Sequence, residues 1–258
     1  MSAERPKLYL LDVEGTVAPL TLTSEVLFPY AREHFEEFLR NGLVQEFESL
    51  RPGDSPADAI FLDVMALMGE NQAEIDPDVP RILAPGVDSV SPASGMPRIL
   101  AYVYWLMDRD RKSTALKSLQ GKIWKAGFES GELKGTLFAD VPEAFERWAL
   151  DARVAIYSSG SVEAQELLFR YSNFGDLTPL ISGYFDTRVG AKRKSASYAA
   201  IAAEMKVAPD EVLFFSDIVA ELDAARGAGC GTRIVMREGN VPVAEENGHE
   251  RIASFENL

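Results

Sequence analysis

From about residue 134 onward, short apolar runs alternate with helical patterns, and few folds accept that rhythm. "AFERWAL" reads as a helix, "RVAIYSS" as a strand and "SVEAQELLFRYS" as a helix. After "SGYFDT" come a helix from "SASYAAIAAEMK", the strand "EVLFFSD", the helix "IVAELDAARGAG" and the strand "TRIVM". Strand alternating with helix predicts a parallel sheet covered on both faces, with right-handed crossovers. The opening strand Leu8–Leu11, in "KLYLLDVEGTVAPL", joins that sheet, which makes the intervening segment an insertion. The expected organisation is an α/β core from residues 1–20 and 134–258, with a helical insertion over 21–133.

The insertion reads as helices throughout. "SEVLFPYAREHFEEFLRNG" offers Ser24 as a start and Gly42 as a stop, with Pro29 in the first turn or at a kink. A second helix is expected at "PADAIFLDVMALMG" and a loop at "EIDPDVPRILAPGVDSVSPASGMP". Two more helices follow at "PRILAYVYWLMDRD" and "STALKSLQGKIWKAGF", with Trp105 and Trp124 as core residues.

Charge narrows the function. A net charge of −14 over 258 residues argues against nucleic acid or an anionic membrane as partner, since both need a basic face. An anionic substrate must therefore meet a local cation. One cysteine excludes an internal disulfide and fits a reducing, cytoplasmic setting. The start "MSAERPK" carries no secretory pattern, and no uninterrupted apolar run approaches the roughly 20 residues of a membrane helix. Two histidines, His34 and His249, are too few for an imidazole zinc site, and both read as surface or partly packed. Any metal would be held by oxygen, which favours Mg²⁺.

Ligands of such sheets lie beyond the carboxyl ends of the strands. The first strand delivers Asp12 and Glu14 into a turn at Gly15, and alternation would put both carboxylates on one side. The plainer alternative is a solvated acidic turn. At "VAIYSSGS", Ser158 and Ser159 lead into a helix whose free N–H groups suit phosphate, although a serine N-cap also explains them. "VLFFSD" ends in Asp217, a metal ligand beside Asp12 if the strands are neighbours, or else a helix cap. Lys192 precedes a helix and by itself would be solvated surface. Together these residues form the inventory for phosphoryl transfer through an aspartyl-phosphate. A carboxylate attacks phosphorus, a metal bridges carboxylate and phosphate, and a lysine and hydroxyl neutralise the remaining oxygens. Mg²⁺ and Lys192 also supply the cations that this acidic chain otherwise lacks.

With "DVEGTVAP", "VLFPYA", "DRDRKSTALKSLQGKIW", "FADVPEAFERW", "IYSSGSVEAQELLF", "YFDTRVGAKRKSASY" and "LFFSD" in order, the sequence resembles the haloacid dehalogenase-like (HAD) phosphohydrolases. Within them it is similar to the enolase-phosphatase E1 subfamily of methionine salvage. The resemblance implies a HAD-like Rossmannoid core with an all-helical cap after the first strand. It makes Asp12 the nucleophile and a ligand of one Mg²⁺ per chain. Glu14 stands where most HAD phosphatases carry an aspartate general acid/base, with its carbonyl facing the metal. Ser158, Ser159 and Lys192 would hold the substrate phosphate, and Asp217 would complete the metal site. Glu221 and Asp223 are weaker candidates for a further acidic position.

The implied reaction is enolisation and then dephosphorylation of 2,3-diketo-5-methylthiopentyl-1-phosphate to 1,2-dihydroxy-3-keto-5-methylthiopentene, in a monomeric enzyme. Departures are modest: Val17 and Ala18 replace expected hydroxyl residues, and Lys122 stands where some members have histidine. A HAD phosphatase for another small ester shares every core motif. A receiver-like phospho-acceptor fits less well, because its metal acids precede the acceptor strand and it has no helical insertion. "GAGCGT" follows a helix and precedes a strand, the reverse of a dinucleotide fingerprint.

Overall fold

The computed structural model describes residues 5–49, 60–83, 92–244, 246–256 and 258. The chain divides into two compact units, Met1–Glu25 with Gly127–Leu258, and Val26–Ala126.

The first unit is built on a six-stranded sheet. Its strands are β1 (Leu8–Leu11), β2 (Arg153–Tyr157), β3 (Gly183–Phe185), β4 (Val212–Ser216), β5 (Gly231–Val235) and β6 (Glu250–Ile252). They lie in the order β3-β2-β1-β4-β5-β6, and every pairing is parallel. β1 sits between β2 and β4, which is why its sequence is a continuous apolar run. Leu8, Leu10 and Leu11 are 0% exposed, each worth roughly 1.5–3 kcal/mol of burial. Its two faces pack differently. Tyr9 stacks on Trp148 of the helix Val141–Ala149 at 4.4 Å, and Trp148 and Phe255 both pack on Phe215. Leu8 and Leu10 share a second core with Tyr157, Tyr198, Phe214 and Leu222.

In chain order the helices are α1 (Phe28–Ser49), α2 (Ile60–Ala73), α3 (Pro92–Asp108), α4 (Thr114–Ser130), α5 (Val141–Ala149), α6 (Val162–Arg170), α7 (Ser195–Glu204) and α8 (Val219–Gly227). The Val26–Ala126 unit is helical among the described residues and buries Phe35, Leu39, Leu67, Tyr102, Val103 and Trp105. Trp124 is nearly buried and donates its indole N–H to the Leu27 carbonyl at 2.8 Å, as expected of a core residue. Asp63 accepts from Lys122 at 2.7 Å and Ser118 at 2.9 Å, tying α2 to α4.

Several local expectations need correction. α3 begins at Pro92, inside the stretch expected as loop, with Pro97 within the helix. Gly42 does not end its helix, since α1 runs on to Ser49. A helix tolerates an interior glycine at about 1 kcal/mol, and here the small residue admits α2: a Cβ at Gly42 would lie 2.1 Å from Ile60 Cδ1. The start is also not a simple cap at Ser24, because a π-type turn, Leu22–Leu27, leads into α1 just before Pro29. The residues of the second-helix expectation before Ile60, and the loop stretch 84–91, fall outside the described residues. β6 is not expected from the sequence, and His249 beside it is buried.

Candidate active site

β1 ends at Leu11, yet its ladder continues one residue further. The Asp12 N–H donates to the Phe215 carbonyl at 2.9 Å. The register sets Leu11 level with Ile156 and Phe215, so Asp12, Ser158 and Asp217 leave three neighbouring strands at one end of the sheet. Beyond Asp12 the backbone folds back on itself. The Val13 carbonyl accepts from the N–H groups of Thr16, Val17 and Ala18 at 3.2, 2.9 and 2.9 Å. Gly15 holds φ at +70°, a left-handed conformation that glycine adopts without a Cβ penalty.

Lys192 joins two acids. Its Nζ lies 2.6 Å from both Asp12 Oδ1 and Glu221 Oε2, with all three side chains about one-tenth exposed. Ser216 Oγ donates to Glu221 Oε2 at 3.1 Å and lies 3.4 Å from Asp12 Oδ2. Burial alone would push the Lys192 ammonium down, but the charges of Asp12 and Glu221 outweigh it and hold its pKa up. Lys192 therefore stays cationic. Burial raises the Glu221 pKa, helped by the Asp12 charge and opposed by Lys192. Asp217 is pushed up to about 7, first by burial and then by the Asp12 charge.

The other expected residues are placed as follows. The strand ends before Glu14, so strand alternation does not govern it. Glu14 is half-buried, and its carboxylate is not part of the Asp12–Lys192–Glu221 contacts. Ser158 is buried, and its Oγ accepts from the Gly160 N–H at 3.2 Å. Ser159 is exposed in the same turn, while Ser161 caps α6 by accepting from the Ala164 N–H.

Several residues around this end of the sheet escaped the sequence reading. Glu221, weighed only as a weak candidate, is bonded directly to Lys192. Buried Gln165 donates to the carbonyls of Gly160 and Phe185, both at 2.9 Å, and so steadies the serine turn. Asn240 donates to the Gly15 carbonyl at 2.8 Å and Arg237 to the Thr16 carbonyl at 3.1 Å, which holds the acidic turn from outside. The spacing Ser216-Asp217-x3-Glu221 on a strand end pointed to Glu221, whereas nothing local pointed to Asn240, more than 200 residues from its partner.

The donor set suits a small hard cation. Asp217 Oδ1 is buried with no hydrogen-bond partner among the described residues, and Asp12 adds a second buried carboxylate. Among the described residues, no group of three or more His, Cys, Asp or Glu side chains is arranged to hold a metal. Mg²⁺ needs none, because it binds through one or two carboxylates and takes its other oxygens from water and phosphate.

Comparisons with known proteins identify the family. A family model for the haloacid dehalogenase-like hydrolases matches residues 6–229. The enolase-phosphatase E1 of Synechococcus elongatus is 48% identical over 250 residues, 96% of each chain. That of Leptospira borgpetersenii is 42% identical over 254 residues, 98% of each chain. Among solved structures, the UTR4 protein of Saccharomyces cerevisiae superposes with a TM-score of 0.74 at 33% identity, covering 98% of this chain and 100% of that one. The chain belongs to the haloacid dehalogenase-like hydrolases and, within them, to the enolase-phosphatase E1 family.

Proposed function

We propose that the protein is the bifunctional enolase-phosphatase of methionine salvage, acting on 2,3-diketo-5-methylthiopentyl-1-phosphate. Membership of the enolase-phosphatase E1 family makes it a phosphatase-class hydrolase. In enolisation a proton leaves carbon 1 of the substrate and the neighbouring carbonyl oxygen gains one. In dephosphorylation an Asp12 oxygen attacks phosphorus as the phosphorus–oxygen ester bond breaks, and the leaving oxygen takes a proton from Glu14. Water then attacks the phosphoryl group, returns a proton to Glu14, and releases phosphate and Asp12. Lys192 neutralises the phosphoryl oxygens, and Ser158 and Ser159 bind them. The products are phosphate and 1,2-dihydroxy-3-keto-5-methylthiopentene.

Asp12, Asp217 and the Glu14 carbonyl would hold one Mg²⁺. When bound, it would offset the negative charge of carboxylates and phosphate and stabilise an enolate oxygen. The Val26–Ala126 unit is assigned as the cap and the remainder as the catalytic core. Cytoplasmic residence is supported by a single, buried, free cysteine. Among the described residues no helix is long and apolar enough to cross a membrane. The monomeric state rests on the resemblance and is checked by light scattering.

The observation that carries the reading is the Lys192 ammonium held against the Asp12 carboxylate at 2.6 Å. In a protein of net charge −14, a cation at this point supports the reading that an anionic phosphoryl group is attacked there. The test follows free phosphate and the ultraviolet absorbance of the enediol together, with Mg²⁺ and then with EDTA. Both appear with Mg²⁺ and vanish with EDTA. Phosphate release from unrelated esters alone would instead favour a broader HAD phosphatase.

A further inference from the structure

We infer that Tyr157, Ser197 and Tyr198 are positioning residues that fix Lys192 by holding the backbone of its loop through three hydroxyls. Three successive carbonyls are engaged. Tyr157 Oη donates to Gly190 O at 3.0 Å, Ser197 Oγ to Ala191 O at 2.8 Å, and Tyr198 Oη to Lys192 O at 2.7 Å. All three donors are buried, at 0%, 2% and 1% exposure.

As strand and helix filling alone, phenylalanine and alanine would serve at these positions. A buried hydroxyl costs free energy unless it is bonded, so its placement here is selective. Each hydroxyl meets a loop carbonyl outside the sheet and helix ladders. The donors come from two rigid elements. Tyr157 ends β2 and Tyr198 lies in the first turn of α7, and their rings pack edge to face at 5.5 Å. Tyr198 also packs on Phe214 of β4, the strand that leads to Asp217. The loop is fitted closely to its clamp: Gly190 sits at φ +144°, and a Cβ there would lie 2.3 Å from Ser197 Oγ.

A lysine has a long stem with many rotamers, so precision at Nζ begins with a fixed backbone. Tyr157 contributes twice, because its ring also lies 5.8 Å from Lys192 Nζ. The same residue directly precedes Ser158, which links the lysine loop to the serine turn. Misplacement of a catalytic group by about 1 Å can cost on the order of 100-fold in rate. Removing the hydroxyls while keeping the rings therefore lowers turnover without emptying the core.

The inference rests on the proposed role of Lys192, so the experiment tests that role separately. Tyr157→Phe, Tyr198→Phe, their double variant, Lys192→Met and the control Tyr184→Phe are assayed with Mg²⁺ and the diketo phosphate, well below their melting temperatures. Tyr184 Oη is buried without a partner among the described residues, so its loss leaves kcat unchanged. The expected kcat falls are about 10-fold for each single variant and more for the double, with KM within about 2-fold. A double variant with the kcat of Tyr184→Phe overturns the inference, however far its melting temperature falls. If Lys192→Met keeps wild-type kcat, the reading beneath the inference is overturned instead.

Discussion

Gly15 rests directly against the Asp217 carboxylate: a Cβ at residue 15 would lie 2.5 Å from Asp217 Oδ2. The glycine is thus needed twice, for its positive φ and for the approach of the carboxylate assigned to the metal. Gly15→Ala should lower Mg²⁺ affinity and reduce kcat by roughly 100-fold, since it displaces the side chain proposed as a metal ligand. The left-handed conformation adds a stability loss of about 1–2 kcal/mol. Calorimetric Mg²⁺ titration and thermal melting check the two parts.

Glu221 meets Lys192 across 2.6 Å. Glu221→Gln keeps the shape and a hydrogen-bonding oxygen but removes one of the lysine's two acidic partners. The ammonium is then held by Asp12 alone and competes for the proposed nucleophile. We expect kcat to fall about 10-fold with the fold intact. Steady-state kinetics together with circular dichroism check this, and unchanged kcat would remove Glu221 from the site.

Arg237 and Asp140 form a buried pair at 2.9 Å, each 7% exposed. The same guanidinium donates to the carbonyls of Thr16 and Ala253 and lies over the rings of Phe138 and Phe255. Arg237→Met leaves Asp140 charged and buried, which should cost about 3–5 kcal/mol. The double variant with Asp140→Asn should recover part of that loss. A urea-unfolding cycle measures the coupling.

His249 predicts a pH dependence of stability. Its side chain is 0% exposed, with Nδ1 2.7 Å from Thr232 Oγ1 and Nε2 3.2 Å from Asp223 Oδ1. Burial holds its pKa below the ordinary 6.5, against the pull of Asp223. The unfolded chain therefore binds this proton at a higher pH than the folded protein does. The contribution is fully present above pH 6.5 and is lost as pH falls below it. The melting-temperature advantage of wild type over His249→Gln should narrow between about pH 7.5 and pH 5. A gap that widens on acidification would contradict the assignment.

The legible parts of this protein were those whose physics is local. β1, β2 and β4 announced themselves because strands buried on both faces must be apolar throughout. Asp12, Ser158 and Asp217 stood out because polar residues follow those runs abruptly. β6 stayed hidden, since Glu250–Ile252 is a three-residue edge strand with two charged residues. Gly42 misled for a different reason: only the approach of Ile60, eighteen positions away, explains why it is glycine. The clamps by Asn240, Gln165 and the tyrosine hydroxyls depend on which distant carbonyl folding brings near, and no periodicity carries that. Strand alternation is expected to set Glu14 beside Asp12, but β1 ends at Leu11, so only its role by resemblance remains.

Acid quenching during turnover, followed by peptide mapping, identifies the residue that attacks phosphorus. A phosphoryl group is expected on the peptide bearing Asp12 in the Mg²⁺-loaded enzyme, and none in Asp12→Asn, which also releases no phosphate. Phosphate release that continues in Asp12→Asn, or a phosphoryl group on another residue, would contradict the proposed role of Asp12.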